Sequence, residues 1–409
     1  MEKFFSFLVS IITLTSGFSQ GLYVSDGTMT VQNNATVTVE GDLFANTNGA
    51  VRNSGEVFVL NNIINNSGDV LFLLDSSGTV VLYGNNQAVF GTDSTAFYNL
   101  YFDGNVAAEK DFQVASVILN ELDLNDQVLK TSDVRTYLLN PDPLSLYFNT
   151  GYIASENLGS YFVRATNQID EYIFPVGRSD LFPSWRPITL TPSNNENNLF
   201  EVRLSPYGPG IDVSGVGATG AEGPFDLADK ESNLGQLNTL YYHNINRLEG
   251  NSPADVLIEW SNADGEFKSL AQLKSTTFRK LDENLFNTAD LGLDKSIKIE
   301  NQNNFDHDVF VLADLELEIQ VPNGVSVNGD GLNDVLIIEN LSYFPENKLE
   351  IYNRWGDLVY QAQPYENNWE GTSNVSSLGG NQLVGGTYFF VLQLDEQSDP
   401  IKGYIELKR

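Results

Sequence analysis

The chain of 409 residues contains no cysteine, so it can form neither a disulfide bond nor a thiolate site. Basic residues are also scarce, because 22 Lys and Arg stand against 54 Asp and Glu and leave a formal net charge of -32. A surface this negative repels phosphate backbones, and nucleic acid is therefore not an expected partner. The charge indicates a solvated exterior, or a protein adapted to calcium-rich or salty surroundings.

Long apolar runs are missing except near the start of the chain. Lys3 and the apolar stretch 4–14 precede the small residues Gly17 and Ser19, which is the pattern of a secretory signal peptide. The stretch is too short to span a bilayer, and no later segment predicts a membrane helix. Residues 1–19 are therefore predicted to be a signal peptide. The exported product is not expected to span a membrane or, lacking cysteine, to be a lipoprotein.

Catalytic patterns are missing as well. The two histidines, His243 and His307, do not lie at ligand spacing, and a zinc site would need carboxylates in place of thiolates. Neither a G-x-S-x-G elbow nor a glycine-rich phosphate loop is present. Paired carboxylates for glycoside hydrolysis are expected by chance in so acidic a chain. We expect a protein that is not an enzyme and has no cofactor; a secreted polysaccharide-degrading enzyme is the less favoured alternative.

The residues that are abundant favour strands. Aromatic residues make up 11% of the chain, the sequence holds 34 glycines, and residues at helical spacing are scarce, so the predicted fold class is all-β. Region 20–104 repeats short alternating apolar segments that end in Asn, Ser or Gly. These segments are 35–41, 56–60, 65–72 and 78–84. Repeats of about ten to twenty residues predict a β-solenoid, although a β-sandwich produces similar alternation.

Three further regions follow the repeats. Region 105–204 is rich in predicted strands and contains an FPVG segment at 174–177, which resembles a pattern common in exported proteins of gliding bacteria. Region 205–236 is rich in Gly, Pro and Ser and is predicted to be a loop or linker. Region 237–316 returns to alternating apolar segments. The middle of the chain is therefore predicted to form a β-sandwich.

The last region, 317–409, contains five blocks in order. They are 321–334, 349–360, 368–371, 383–392 and 402–409. The series resembles the gliding motility-associated C-terminal domain, the type B sorting domain of the type IX secretion system of Bacteroidetes. The resemblance implies an immunoglobulin-like β-sandwich that passes through the outer-membrane translocon and is retained at, or released from, the cell surface. Independently of the resemblance, apolar and polar residues alternate in 404–407 as in an edge strand.

One block contains the predicted recognition surface for sorting. Asn353, Arg354, Trp355 and Gly356 lie between two alternating segments, as expected for a turn with a large aromatic ring that an arginine can cover. We expect these four residues to contact the export machinery, together with the turn 330–334. The alternative is that Trp355 belongs to the core.

A second turn is a candidate calcium site. Ser326, Asn328 and Asp330 lie at alternate positions before a glycine, and Asp334 follows, as in the first half of a calcium loop. The bidentate Glu expected at the end of such a loop is replaced by Ile337. The sequence therefore favours a turn stabilised by Asx hydrogen bonds, and calcium is the alternative.

These observations predict a structural or adhesin-type surface protein, located outside the cell or on the outer membrane and partnered by the type IX translocon. The alternative function is a carbohydrate-binding module that uses surface glycans as partners. Exposed aromatic rings such as Tyr241, Tyr242 or Trp260 would then serve as stacking platforms.

Overall fold

The computed structural model describes most of the chain in two compact units, Met1–Leu315 and Glu316–Arg409. The described residues are 21–75, 77–155, 157–178, 184–205, 208–210, 224–281, 285–287, 291–305, 309–375, 382–395 and 398–409. The predicted signal peptide and His307 lie outside these ranges. Within them, no helix has the length and apolar character needed to cross a membrane.

The fold is all-β, as predicted. Besides strands, the described ranges contain three short 3₁₀ turns, Pro143–Ser145, Asn262–Asp264 and Leu341–Tyr343. Up to residue 177 the strands are β1 Leu22–Ser25, β2 Thr28–Val31, β3 Thr36–Val39, β4 Leu43–Asn46, β5 Ala50–Asn53, β6 Glu56–Val59, β7 Ile63–Asn66, β8 Thr79–Leu82, β9 Gln87–Gly91, β10 Thr95–Phe102, β11 Glu109–Phe112, β12 Ser116–Asp123, β13 Val128–Thr131, β14 Arg135–Leu138, β15 Leu146–Tyr147, β16 Tyr152–Ala154, β17 Tyr161–Thr166, β18 Tyr172–Phe174 and β19 Val176–Gly177.

The remaining strands belong to the end of the first unit and to the second unit. They are β20 Ile188–Pro192, β21 Asn198–Ser205, β22 Leu234–Leu237, β23 Tyr242–Glu249, β24 Ala254–Trp260, β25 Ser269–Lys274, β26 Thr277–Lys280, β27 Leu285–Asn287, β28 Lys295–Gln302, β29 Val309–Leu315, β30 Gly324–Ser326, β31 Lys348–Tyr352, β32 Leu358–Ala362, β33 Gly386–Gln393 and β34 Ile401–Lys408.

The first unit begins with parallel coils. One sheet has the order β1-β4-β7-β9-β11-β13-β16-β19, and the strands β3, β6, β8, β10, β12, β14 and β17 follow one another in a second sheet. Every neighbouring pair in these two series is parallel. The prediction of a β-solenoid is confirmed, with about 7 turns. The coils continue beyond residue 104 to Gly177, which pairs with Ala154.

The coils vary in length. Glu109 pairs with Val128, 19 residues on, which lies within the predicted repeat of about ten to twenty residues, whereas Ile63 pairs with Val89, 26 residues on. The predicted repeat is therefore too short for the longer coils. The physical reason is that each coil contributes strands to two facing sheets, so one alternating segment is only part of a coil.

Equivalent positions of successive coils stack in the core. Leu43, Ile63, Val89 and Phe112 follow one another in register, and each of these side chains is fully buried. The alternating side chains point outward, so each coil buries its apolar face against the coils on either side. A single coil has too little apolar surface to be stable, and the stack provides it.

One corner of the solenoid is closed by buried polar side chains. The amide of Gln87 donates to the carbonyl oxygens of Val59 (2.9 Å) and Asn61 (2.5 Å). In the next coil, the ammonium group of Lys110 donates to the carbonyl oxygen of Asp103 (2.9 Å) and to Oε1 of Gln87 (2.7 Å). It also donates to the carbonyl oxygen of Gly84, so all three of its N–H groups have acceptors.

A β-sandwich completes the first unit. The sheet changes from parallel to antiparallel where β17 pairs with β21, and it continues through β23, β29, β25 and β26, with β22 beside β29. A separate antiparallel sheet has the order β18-β20-β24-β28-β27. The two sheets share one core; for example, the rings of Phe162 and Phe174 lie 5.8 Å apart. Solenoid and sandwich thus form a continuous body. Of the predicted linker 205–236, residues 206, 207 and 211–223 lie outside the described ranges.

In the described part of the second unit, strands form one sheet of order β30-β34-β33-β31-β32. A second sheet, as predicted for an immunoglobulin-like sandwich, is not found among these residues. Irregular segments cover the buried face instead. They contribute Leu336, Ile338, Leu341, Tyr365 and Trp369 to the core. The prediction of an edge strand at 404–407 is wrong, because β34 pairs with β33 on one side and with β30 on the other.

Lys110 is expected to stabilise the solenoid through its three hydrogen bonds. Lys110→Met leaves the carbonyl oxygens of the corner without a donor, and we expect it to lower the free energy of unfolding by about 2–4 kcal/mol in urea titrations at pH 7. Lys130→Met is the control, because Lys130 lies only partly buried on β13. It is expected to change stability by less than about 0.5 kcal/mol. Equal losses in the two variants would contradict the assignment.

The same lysine predicts a pH dependence. Burial lowers the pKa of Lys110 from 10.5 to about 8, so between these values the unfolded chain binds more protons than the folded chain. The contribution of Lys110 to stability is therefore expected to rise as the pH increases from 8 to 10.5. The measurement is the difference in unfolding free energy between the wild type and Lys110→Met across this range. A difference that falls with pH would contradict the argument.

Candidate functional site

The turn that joins β31 to β32 is built around one asparagine side chain. Oδ1 of Asn353 accepts hydrogen bonds from the backbone N–H groups of Trp355 and Asp357, both at 2.9 Å. Its amide Nδ2 donates to Oδ2 of Asp357, also at 2.9 Å. Gly356 has a φ of 87°, which a residue with a side chain rarely adopts. Asn353 and Gly356 therefore hold the shape of the turn.

The two residues between them form its exposed surface. The side chain of Trp355 is 74% exposed, so the alternative that it belongs to the core is wrong. The guanidinium carbon of Arg354 lies 4.5 Å from the centroid of the indole ring, and the pair forms a cation–π contact. The core tryptophan of this unit is instead Trp369, which is fully buried and donates from its indole nitrogen to the carbonyl oxygen of Thr372. The structure thus brings all four predicted recognition residues together in one turn.

A row of aromatic side chains continues this surface, and sequence reasoning missed it. Tyr352 pairs with Phe389, and Phe389 pairs with Tyr404 across the next strand. Phe389 and Tyr404 are each 48% exposed on the outer face of the sheet. Alternation along each strand was visible in the sequence, but only the register shows that the three rings are neighbours.

Basic side chains accompany the aromatic row. The second unit has 14 acidic residues and 5 basic ones, which are Lys348, Arg354, Lys402, Lys408 and Arg409. Lys402 and Lys408 are exposed, and they alternate with Tyr404 along β34, so they point to the same outer face. This face therefore carries aromatic rings and two lysines beside Glu406, in a unit that is acidic overall.

The candidate calcium residues form a compact turn. Asp334 accepts three backbone hydrogen bonds: its Oδ1 from Asn328 (3.0 Å) and Gly329 (2.8 Å), and its Oδ2 from Gly331 (2.8 Å). The bonds from Gly329, Gly331 and Asn328 lower the pKa of this carboxyl group. Both carboxylate oxygens are thus already used by the turn.

The other candidate ligands are also engaged in the turn. Asn328 donates from Nδ2 to Oδ2 of Asp330 (2.8 Å), and Oδ1 of Asp330 accepts from the backbone N–H of Leu332 (2.8 Å). The backbone N–H of Ser326 donates to the carbonyl oxygen of Asn333. In the described ranges, no group of three or more His, Asp or Glu residues is arranged to hold a metal ion. The geometry favours the Asx-stabilised turn over calcium.

The sandwich contains a buried polar network. Arg186 forms a bidentate ion pair with Asp264, with distances of 2.5 and 2.7 Å, and the hydroxyl group of Tyr241 donates to Asp264 at 2.7 Å. Nε2 of His243 lies 2.9 Å from the carbonyl oxygen of Arg186, and burial lowers the pKa of His243 to about 4. The network joins segments far apart in the sequence, and a structural role accounts for its geometry.

The aromatic residues proposed as stacking platforms are not exposed. Tyr241 and Trp260 are 1% exposed, and Tyr242 is 2% exposed. The prediction that they form an accessible surface is wrong, because Tyr241 and Trp260 belong to the core of the first unit and the ring of Tyr242 packs against that of Phe225, 5.9 Å away.

Comparison with known proteins identifies the second unit. Residues 319–407 match the family model of the CHU_C type IX secretion signal domain. The C-terminal unit is a type IX secretion sorting domain. The predicted resemblance is confirmed, and the chain is a secreted or cell-surface protein. The sorting domain implies an interaction with the secretion system. No curated protein and no solved structure matches the chain significantly.

The turn at 326–334 gives a test of the calcium alternative. Because the carboxylate of Asp334 is bound by backbone N–H groups, isothermal titration of the full chain with calcium is expected to show no heat, and calcium is expected to leave the melting temperature unchanged. Asp334→Ala is expected to lower the melting temperature of the second unit with or without calcium. Heat of binding that disappears in Asp334→Ala would establish the calcium site instead.

Proposed function

We propose that the chain is a structural or adhesin-type protein of the cell surface, and that it is not an enzyme. The solenoid and the sandwich form a continuous β body, and such a body suits a rigid spacer that holds a binding face away from the membrane. In the described ranges, the buried histidine and the buried Arg186–Asp264 pair are engaged within the sandwich. The absence of catalytic motifs from the sequence agrees with this proposal.

The observation that carries the sorting part of the proposal is the exposed Arg354–Trp355 turn within the matched domain. An aromatic ring that is 74% exposed and held by a fixed turn offers the export machinery a preorganised contact. The aromatic row of Tyr352, Phe389 and Tyr404 extends the contact surface from the end of β31 across two further strands. A folded surface of this kind is recognised as a unit.

The sorting proposal is tested by export from a bacterium that has a type IX translocon. Deletion of 316–409 is expected to leave the chain inside the cell envelope, because the matched domain is then missing. Trp355→Ser in the full chain is expected to lower the surface amount by roughly tenfold or more, since central aromatic side chains dominate many protein interfaces. Surface protease digestion followed by immunoblotting measures both.

Val384→Ser is the matched control, because Val384 is also 74% exposed in the same domain but lies outside the turn. It is expected to be exported like the wild type. Equal melting temperatures of the purified variants would show that folding is unchanged. Normal export after the deletion would contradict the sorting assignment. If Val384→Ser lowered the surface amount as much as Trp355→Ser, only the role of the turn would be contradicted.

A further inference from the structure

The outer face of the second solenoid sheet carries a row of side chains that runs along the solenoid axis. Each successive strand contributes one residue, and each residue pairs with the next one in register. The residues are Thr38, Phe58, Val81, Tyr101, Asp123 and Tyr147. They point outward, since their immediate neighbours in the chain, such as Leu100 and Leu122, are fully buried. The row is therefore a continuous strip on the surface.

Aromatic rings recur in this strip on every second strand. Phe58 lies on β6, Tyr101 on β10 and Tyr147 on β15, with one strand between each pair. Because adjacent strands lie about 4.8 Å apart, the rings are spaced at about 10 Å. The side chain of Tyr147 is 47% exposed, and those of Phe58 and Tyr101 are partly exposed. Three rings at one interval form a periodic set of platforms.

Hydrogen-bonding side chains line the strip. A second row runs parallel to the first, two residues earlier along each strand. It contains Glu56, Thr79, Asn99 and Glu121. Glu121 accepts a hydrogen bond of 2.5 Å from the hydroxyl group of Tyr101, which fixes the plane of that ring. Asn120 donates to Asn99 at 2.8 Å and accepts from Asn140 at 3.1 Å, so this side is a fixed ladder of amides. Aromatic platforms between polar side chains suit ligands that have both apolar faces and hydroxyl groups.

The spacing of about 10 Å between the three rings indicates which class of ligand fits the strip. In an extended polysaccharide with equatorial linkages, successive hexose units are turned over, so the same ring face recurs at every second unit. That repeat is close to the spacing of two strands. The charged side chains in and beside the row, Asp123, Glu56 and Glu121, are acidic. A polyanionic chain would be repelled, whereas a neutral chain would not.

We propose that the strip formed by Phe58, Tyr101 and Tyr147 binds a neutral, extended, equatorially linked polysaccharide, which lies parallel to the solenoid axis and stacks alternate sugar rings on the three aromatic side chains. This proposal replaces the buried residues Tyr241, Tyr242 and Trp260 as the glycan platform. It rests on the adhesive role proposed above, for which it names the ligand class, and it does not depend on the sorting domain.

The test is native affinity electrophoresis of the purified full chain in gels that contain a soluble polysaccharide. Hydroxyethyl cellulose and glucomannan are the neutral, extended probes, laminarin is a neutral glucan with a different chain shape, and polygalacturonate is the anionic probe. We expect retardation by at least one of the two extended probes and none by polygalacturonate. Tyr147→Ala and Tyr101→Ala are each expected to weaken binding by at least about tenfold, whereas Tyr101→Phe keeps the ring and is expected to bind.

Tyr23→Ala is the matched control, because Tyr23 is 60% exposed and stacks on Phe44 on the other sheet of the solenoid. It is expected to bind like the wild type. Absence of retardation by both extended probes, equal weakening by Tyr23→Ala and Tyr147→Ala, or retardation by polygalacturonate would overturn the proposal. Melting temperatures identify any variant that fails to fold. If Tyr101→Ala fails to fold, the result for Tyr147→Ala decides, because the side chain of Tyr147 is about half exposed. Failure here leaves export through the sorting domain unaffected, because export is measured in cells and binding with purified protein.

Discussion

The first unit depends on the hydrogen bonding of each coil to the coil before it. Backbone N–H and C=O groups of a short strand need partners, and the parallel neighbours supply them on both sides. Strands of four residues such as β4 or β7 would not be stable alone, but in the stack their side chains meet at equivalent positions. Leu43, Ile63 and Val89 thereby become one continuous core column. The same register that buries these residues also aligns the outward residues in rows.

Corners limit how tightly such coils can stack. A Cβ atom at Gly84 would lie 1.9 Å from the carbonyl oxygen of Leu60, so glycine is required where one coil crosses closely over another. The corner carbonyl groups then need donors, and the side chains of Gln87, Lys110 and Gln127 provide them in successive coils. These polar residues complement the apolar columns, since their hydrogen bonds satisfy carbonyl groups that stacking removes from water, while the columns bury apolar surface.

The two units present their exposed aromatic side chains on different scaffolds. In the solenoid the platforms are spaced by the strand separation and are suited to a long, repeating ligand. In the sorting domain the ring of Trp355 is held by a turn that Asn353 organises, next to a short row on the sheet. A protein partner needs a compact, fixed surface, and a polymer needs a periodic one. The chain thus combines a sorting domain with the ligand-binding face that we propose on the solenoid.

The sequence by itself determined the fold class, favoured the solenoid over a β-sandwich and indicated the sorting domain, because alternation, turn residues and an ordered set of motifs are local properties of the chain. It also placed Asn353 to Gly356 in one turn, since those residues are adjacent. It did not determine the length of a coil, the pairing of β30 with β34, or which aromatic residues are exposed. Tyr241 and Trp260 were predicted to be exposed platforms yet lie in a core, whereas Phe58, Tyr101 and Tyr147 are far apart in the chain and form one row. Only the tertiary structure decided these points, because strand register and sheet order depend on contacts between distant segments.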